Sequence, residues 1–333
     1  MNTRVSRRGF GLAVAMMMAL PGVAAAQDDP IVLKYSNAAV PEDWHVKAMD
    51  VFAERLEELV PGRFELEIYP SGSLFKQGSE LAAMQRGNLE MAHYNAQDIS
   101  LISQDLSIFT TPYLLRDPEH MLKVMDGEIG EWVFDKVMEE ANIKLLSTML
   151  LGTRQVGLRF EKDVNVPADL NGVKMRMPNT PEWLFMGEAL GASAMPMAFG
   201  ELYLALKQGT VDAQDAQPST VRSAKLNEVL KQVVLTGHLV QPLILAMDGD
   251  VFNGLTEEEQ AAVLDAARLA ADYNNENRVI DEEASLEALR EQGIKVTTPD
   301  VEAFREHALN IYLESKYAET WPEGMYQQIV DIQ

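Results

Sequence analysis

Between Ile31 and Gln214 the chain runs twice through the same alternation of short apolar strand and amphipathic helix. Ile31–Ser36 reads as a strand and Asp43–Val60 as a helix, with Val46, Met49, Phe52, Ala53, Leu56 and Leu59 along one face. Pro61-Gly62 ends that helix. Phe64–Tyr69 alternates as a half-buried strand, Leu74–Arg86 reads as a helix stopped by Gly87, and Leu89–Tyr94 as the next strand. Helices follow between Pro118 and Ala141, then the strand Ile143–Leu151. The second half repeats the scheme. Arg154–Phe160, Val173–Pro178, Ala192–Met197 and Val211–Gln214 read as strands, Glu182–Leu190 and Gly200–Gln208 as helices. Such alternation predicts a largely parallel sheet covered by helices, and a length of 333 residues favours two domains.

A local echo supports two halves of one plan. Met84–Ala92 and Leu206–Ala213 each carry a helix end, a glycine and an apolar-acid-apolar strand start. Pro242–Asp248 then reads as an apolar strand. Thr256–Glu259 forms a capping box opening a helix that runs to about Gln292, with a kink expected near Asn274-Asn275. At 1.5 Å per residue that helix approaches about 50 Å, long enough to cross from one domain to the other. Ile294–Thr297 reads as a strand, and helices over Val301–Tyr317 and Glu323–Ile332 close the chain.

The strand Val173–Pro178 carries the chemistry. Val173, Met175 and Met177 share one face, while Lys174 and Arg176 share the other. Pro178 cannot donate to a sheet and stops the strand. Arg176 is therefore the last polar side chain before a strand's carboxyl end, where open α/β sheets place their ligands. A second arginine, Arg154, lies in Gly152-Thr153-Arg154-Gln155. The pair reads as an anion clamp. Val156 and Leu158 place Arg154 on their own apolar face unless a bulge intervenes.

Composition narrows the rest. The 28 basic residues face 51 acidic ones, a net charge of −23, which repels phosphate backbones and anionic lipid. An anionic ligand would have to be held by local cations against that field. The absence of cysteine excludes disulfides, thiol catalysis and Cys-ligated metal. Residues 1–26 read as an export signal: Arg4, Arg7 and Arg8, an apolar run, then Ala24-Ala25-Ala26 before Gln27. Ser6-Arg7-Arg8-Gly9-Phe10 resembles the twin-arginine signature, the alternative being an ordinary secretory signal. No later run is apolar over the roughly 18 residues that a membrane span needs.

Ile68–Leu74, Gly152–Gln155, Gly172–Asn179, Gly191–Leu206 and Gly209–Gln214 together make the chain resemble the DctP-type solute-binding proteins of TRAP transporters, in matching order over residues 30–320. The resemblance implies an α/β, two-lobed periplasmic binding protein fold (type II-like) with a long helix spanning both lobes. Residues 28–151 plus 242–281 would form the first lobe and 152–241 plus 282–333 the second, with the ligand cleft between them. It implies a monomeric protein of the Gram-negative periplasm that binds a small organic acid (a C4-dicarboxylate, sugar acid or similar carboxylate) and hands it to separate TRAP membrane permease subunits. A keto acid, sulfonate or compatible solute is the alternative ligand, and a secreted hydrolase or sensor subunit the alternative role.

The family's carboxylate-binding arginine falls on Arg176, in Arg176-Met177-Pro178-Asn179. Arg154 and Asn179 match positions that touch ligand in sialic-acid-binding relatives, and Phe199 matches an aromatic cleft wall. Asn37, Trp44, His45 and Asn95 fall where the first lobe contributes. Many relatives read Val-Asp-Gly-Gln-Glu-Asn-Pro where this chain has Val211-Asp212-Ala213-Gln214-Asp215-Ala216-Gln217-Pro218. Ala216 replaces the ligand-contacting asparagine, and Gln214, Asp215 or Gln217 would compensate. The histidines show no metal-ligand spacing, and Asp248–Gly254 fails as a calcium loop because Phe252 occupies a ligand position. With no nucleophile elbow, zincin motif, phosphate loop or dinucleotide fingerprint, the expectation is a binding protein without cofactor or metal, not an enzyme.

Overall fold

The computed structural model describes Met1 and residues 29–333. The export signal expected over residues 1–26 lies, apart from Met1, outside the described residues. Among the described residues nine strands occur in order: β1 Ile31–Ser36, β2 Phe64–Tyr69, β3 Met91–Asn95, β4 Ile143–Leu158, β5 Lys174–Met177, β6 Ser193–Pro196, β7 Ala213–Ala216, β8 Gln232–Asp248 and β9 Lys295–Thr297. Helices α1 Trp44–Leu59, α2 Glu80–Met84, α3 Ala96–Ile99, α4 Pro118–Met125 and α5 Glu128–Ala141 precede β4. Helices α6 Pro181–Ala189, α7 Leu202–Gln208 and α8 Pro218–Ser223 lie between β5 and β8. Helices α9 Gly249–Asn253, α10 Glu257–Glu291, α11 Val301–Leu313 and α12 Met325–Asp331 follow β8.

The strands form one sheet in the order β2-β1-β3-β8-β4-β7-β5-β6, with β9 also pairing β8. The sheet is mixed rather than largely parallel. Pairings β1–β2, β1–β3, β5–β6, β5–β7 and β8–β9 are parallel, but β3–β8, β4–β8 and β4–β7 are antiparallel. Side-chain alternation is identical in both kinds of strand, so the sequence pattern is blind to this difference. Ile143–Leu151 and Arg154–Phe160 also prove to be one strand. Gly152 (φ +118°) supplies a bulge where a break was expected, and the β4–β8 register shifts at Leu145/Ser147, Leu150/Gly152 and Arg154/Val156.

β4 and β8, of 16 and 17 residues, therefore run as an antiparallel pair through both lobes of the two-lobed α/β fold. On one side of the crossing, Leu33, Phe52, Met91 and Leu245 pack with an alanine-rich face of α10 (Ala262, Ala266, Ala267, Ala270), small side chains that let α1 and β4 approach closely. An adjacent core gathers Phe109, Val133 and Ile244. On the other side, Val173, Met175 and Met177 pack with Trp183, Phe304 and Tyr312, and Leu206 and Leu230 with Leu289. α10 thus serves cores on both sides, as its length predicts.

α10 is continuous over 35 residues, and the asparagines where a kink was expected grip the crossing strand. Asn275 Oδ1 accepts from the Leu150 N–H at 2.6 Å, and Asn274 Nδ2 donates to the Leu150 carbonyl at 2.9 Å. α12 was expected with the second lobe. Its Ile329 is buried in the core with Phe109 and Val133, and Arg116 donates to the carbonyls of Val330 and Ile332.

Candidate functional site

The alternation in β5 turns Val173, Met175 and Met177 into the core and leaves Arg176 on the opposite face, 2% exposed, at the floor of a cleft between the lobes. The cleft encloses about 970 Å³ including its open mouth, within the range of small-molecule sites. Arg176 Nε donates to the Met197 carbonyl at 2.9 Å and Nη2 to Gln77 Oε1 at 2.6 Å. A guanidinium has five N–H donors. Arg176 therefore retains three, both on Nη1 and one on Nη2, which is the end-on edge that matches a carboxylate. Burial lowers its pKa to about 9, with Asp215 opposing that shift, so it stays charged at neutral pH. Its guanidinium carbon lies 5.7 Å from the Phe199 ring centre.

Arg154 is differently committed. The register shift between Arg154 and Val156 is the bulge that the sequence pattern required, and it turns the side chain into the cleft. There Nε donates to Asp215 Oδ2 at 2.7 Å, Nη2 to Asp215 Oδ1 at 3.0 Å and to the Asp215 carbonyl, and Nη1 to Gln241 Oε1 at 2.6 Å. It stacks 4.5 Å from the Trp183 ring centre. One N–H remains. Burial would raise the Asp215 carboxyl, but the Arg154 charge and the bond from His238 outweigh it and hold the carboxyl well below the usual range. Arg154 is one half of a buried ion pair, while Arg176 is the cleft guanidinium without a carboxylate partner among the described residues.

Of the other residues singled out in the sequence, Asn37, Asn95, Phe199 and Asp215 line the cleft, as do Ala216 and Gln217. Gln217 Nε2 donates to Gln241 Oε1 at 3.0 Å, extending the Arg154 network. Asn95 caps α3, its Oδ1 accepting from the N–H groups of Gln97 and Asp98. Three residues are not brought to the cleft. Asn179 is exposed beyond Pro178, and Thr180 takes the helix-capping position beside it. Gln214 faces away because its neighbour Asp215 takes the cleft face of β7; its amide packs over Gly157, buried and unpartnered. Trp44 turns toward α10, where Nε1 donates to Asp281 Oδ2 at 2.8 Å.

The sequence reading missed Gln77, Glu80 and Asp98. Leu74–Arg86 was expected to be helical, yet only α2 is. Gly72 and Gly78, at φ +64° and +88°, hold the preceding segment as a loop that delivers Gln77 across the cleft. Gln77 Oε1 accepts from both Arg176 and the Phe199 N–H (2.9 Å), joining the lobes at the clamp. Deeper in, His45 Nδ1 lies 3.0 Å from Asp43 Oδ1, which also accepts from Arg278 Nη2 on α10. The other Asp43 oxygen accepts from Thr220 and Ser223 on α8. One buried carboxylate therefore ties three elements together beneath the ligand space. Among the described residues no cluster suited to a metal ion occurs, and no helix is long and apolar enough to cross a membrane.

Comparison with known proteins places this geometry among relatives. The sequence profile of the bacterial extracellular solute-binding proteins, family 7 (DctP), matches residues 35–319. A solute-binding protein of Roseobacter denitrificans is 33% identical over 264 residues, covering 79% of this chain and 80% of its own. The 2,3-diketo-L-gulonate-binding periplasmic protein of Escherichia coli is 28% identical over 316 residues, covering 94% and 95%. Among solved structures, a TRAP periplasmic solute-binding protein from Roseobacter denitrificans with bound 3-deoxy-D-manno-oct-2-ulosonic acid superposes with a TM-score of 0.88 at 40% identity, covering 92% of this chain and all of that one.

Proposed function

The chain belongs to the family 7 bacterial extracellular solute-binding proteins, and from that membership we propose that it captures a small organic acid in the periplasm and delivers it to a TRAP-type membrane permease. The reading is carried by one observation: Arg176 is buried in the cleft, charged, without an acidic partner among the described residues, and holds three N–H donors at its carboxylate-matching edge. The 2,3-diketo-L-gulonate-binding relative and the relative holding 3-deoxy-D-manno-oct-2-ulosonic acid both take acids, which supports the assignment. Arg154, fixed by Asp215, shapes the clamp and offers one further N–H. Phe199 walls it, and Asn37 and Asn95 meet the remainder of the ligand from the first lobe. Residues 28–151 and 242–281 form that first lobe, joined by α12, and 152–241 with the segment after 281 up to α11 forms the second. Closure brings Gln77 to Arg176 and removes water from the clamp, which strengthens its electrostatics.

Replacement Arg176→Lys tests this reading. A point charge keeps the sign but loses the fork, and each charge-assisted hydrogen bond lost is worth about 1.5–3 kcal/mol. Isothermal titration with 3-deoxy-D-manno-oct-2-ulosonic acid, the acid held by the Roseobacter relative, should show affinity reduced by about tenfold to 150-fold, with the fold unchanged by circular dichroism. Affinity within threefold of the parent would refute the assignment.

A further inference from the structure

We propose that Glu80 and Asp98 make the cleft selective for acids that carry a single carboxylate with hydroxyl groups beyond it, and turn it against diacids. The proposal rests on the reading of Arg176 as the carboxylate clamp and adds two acids that line the same cleft. The cleft's other guanidinium, Arg154, is matched by Asp215, and Arg278 beneath it by Asp43. Among the described residues that leaves Arg176 as the unmatched cation of the cleft, so one ligand carboxylate satisfies it.

The part of the cleft lined by α2 and α3 has the opposite character. Glu80, at the start of α2, and Asp98, in α3, both line the cleft. Glu80 Oε2 accepts from the Gly78 N–H at 2.8 Å, and Asp98 Oδ2 from the Asn95 N–H at 3.1 Å. Both residues line the cleft, and neither carboxylate has an oxygen that is sealed away and unpartnered. Neither acid has a basic partner among the described residues: burial and then the charge of Asp98 lift Glu80 to about 7, and burial and then the charge of Glu182 lift Asp98 to about 6. A wall of uncompensated acceptors gains from hydroxyl donors and loses from a second carboxylate. Discrimination built from repulsion toward the wrong ligand is a general route to specificity.

Paired ligands with one carbon skeleton isolate the effect: gluconate against glucarate, and galactonate against galactarate, titrated calorimetrically at pH 8 where the wall is charged. The expected result is binding of a monoacid at least about tenfold tighter than its diacid partner, a like-charge penalty of ordinary size. Glu80→Gln should then narrow that ratio several-fold by improving the diacid. Equal affinity for both members of a pair overturns the proposal, as does a ratio that Glu80→Gln leaves unchanged. Diacid binding that is lost in Arg176→Lys, with no hydroxylated monoacid bound, overturns this inference while leaving the clamp standing. Monoacid binding that persists undiminished in Arg176→Lys overturns the clamp itself, and binding of none of these acids overturns the proposed selectivity.

Discussion

Replacing Glu80 by glutamine should change how the ligand-free protein responds to pH. Glu80 is buried beside the cleft, and burial, followed by the charge of Asp98, lifts its carboxyl from an ordinary value of 4.5 to about 7. The folded protein therefore holds this proton more tightly than the unfolded chain does. The associated stability is fully present below pH 4.5 and is lost as the pH rises through 7. Across that interval the loss is on the order of 3 kcal/mol, at about 1.4 kcal/mol per pH unit of difference, and water in the cleft makes this an upper value. For a chain of this size that corresponds to roughly 5 °C in Tm. Glutamine keeps an oxygen for the Gly78 N–H and never ionises. Thermal melts of both proteins without ligand should diverge as pH rises from 5 to 8, with the variant the more stable at pH 8. Parallel curves, differing by a constant offset or by less than a degree throughout, would refute the argument that this carboxyl is held uncompensated.

Two further substitutions probe the clamp. Asp215→Asn strands the Arg154 charge in a site where Asp215 is 1% exposed, and should cost about 3–5 kcal/mol of stability in denaturant unfolding; a loss under 1 kcal/mol would show that Arg154 finds another partner. Gln77→Ala removes two acceptor contacts across the cleft, one of them to a charged donor, and should weaken ligand binding by about tenfold. The effect should fall on the dissociation rate in stopped-flow measurements, and an unchanged rate would remove Gln77 from the closure mechanism.

The clamp was legible in the sequence because two local rules agree on it. Strand alternation separates Arg176 from Met175 and Met177, and Pro178 marks the strand end. Arg154 was legible only as a conditional, since the bulge that turns it depends on pairing with β8. Gln214 and Asp215 are neighbours in β7, so alternation gives the cleft to one of them, and its choice is set by pairing with β4 and β5 far away in the chain. Gln77 was hidden by a helical apolar pattern in Leu74, Phe75 and Leu81 that the positive-φ glycines override. The fold's connectivity was legible through the resemblance and through α10, whereas strand direction is a property of pairing partners far away in the chain.

The docking of α12 beside β3, β4 and β8 has a practical corollary. The described chain opens in β1, within one half of the molecule, and Ile329 near the other terminus is sealed into the same half. On the proposed division of the lobes, labels placed on β1 and on α12 would keep their separation while the cleft shuts. A reporter of closure has to be inserted into the opposite half, and the exposed left-handed turn at Lys225 (φ +56°) offers such a place.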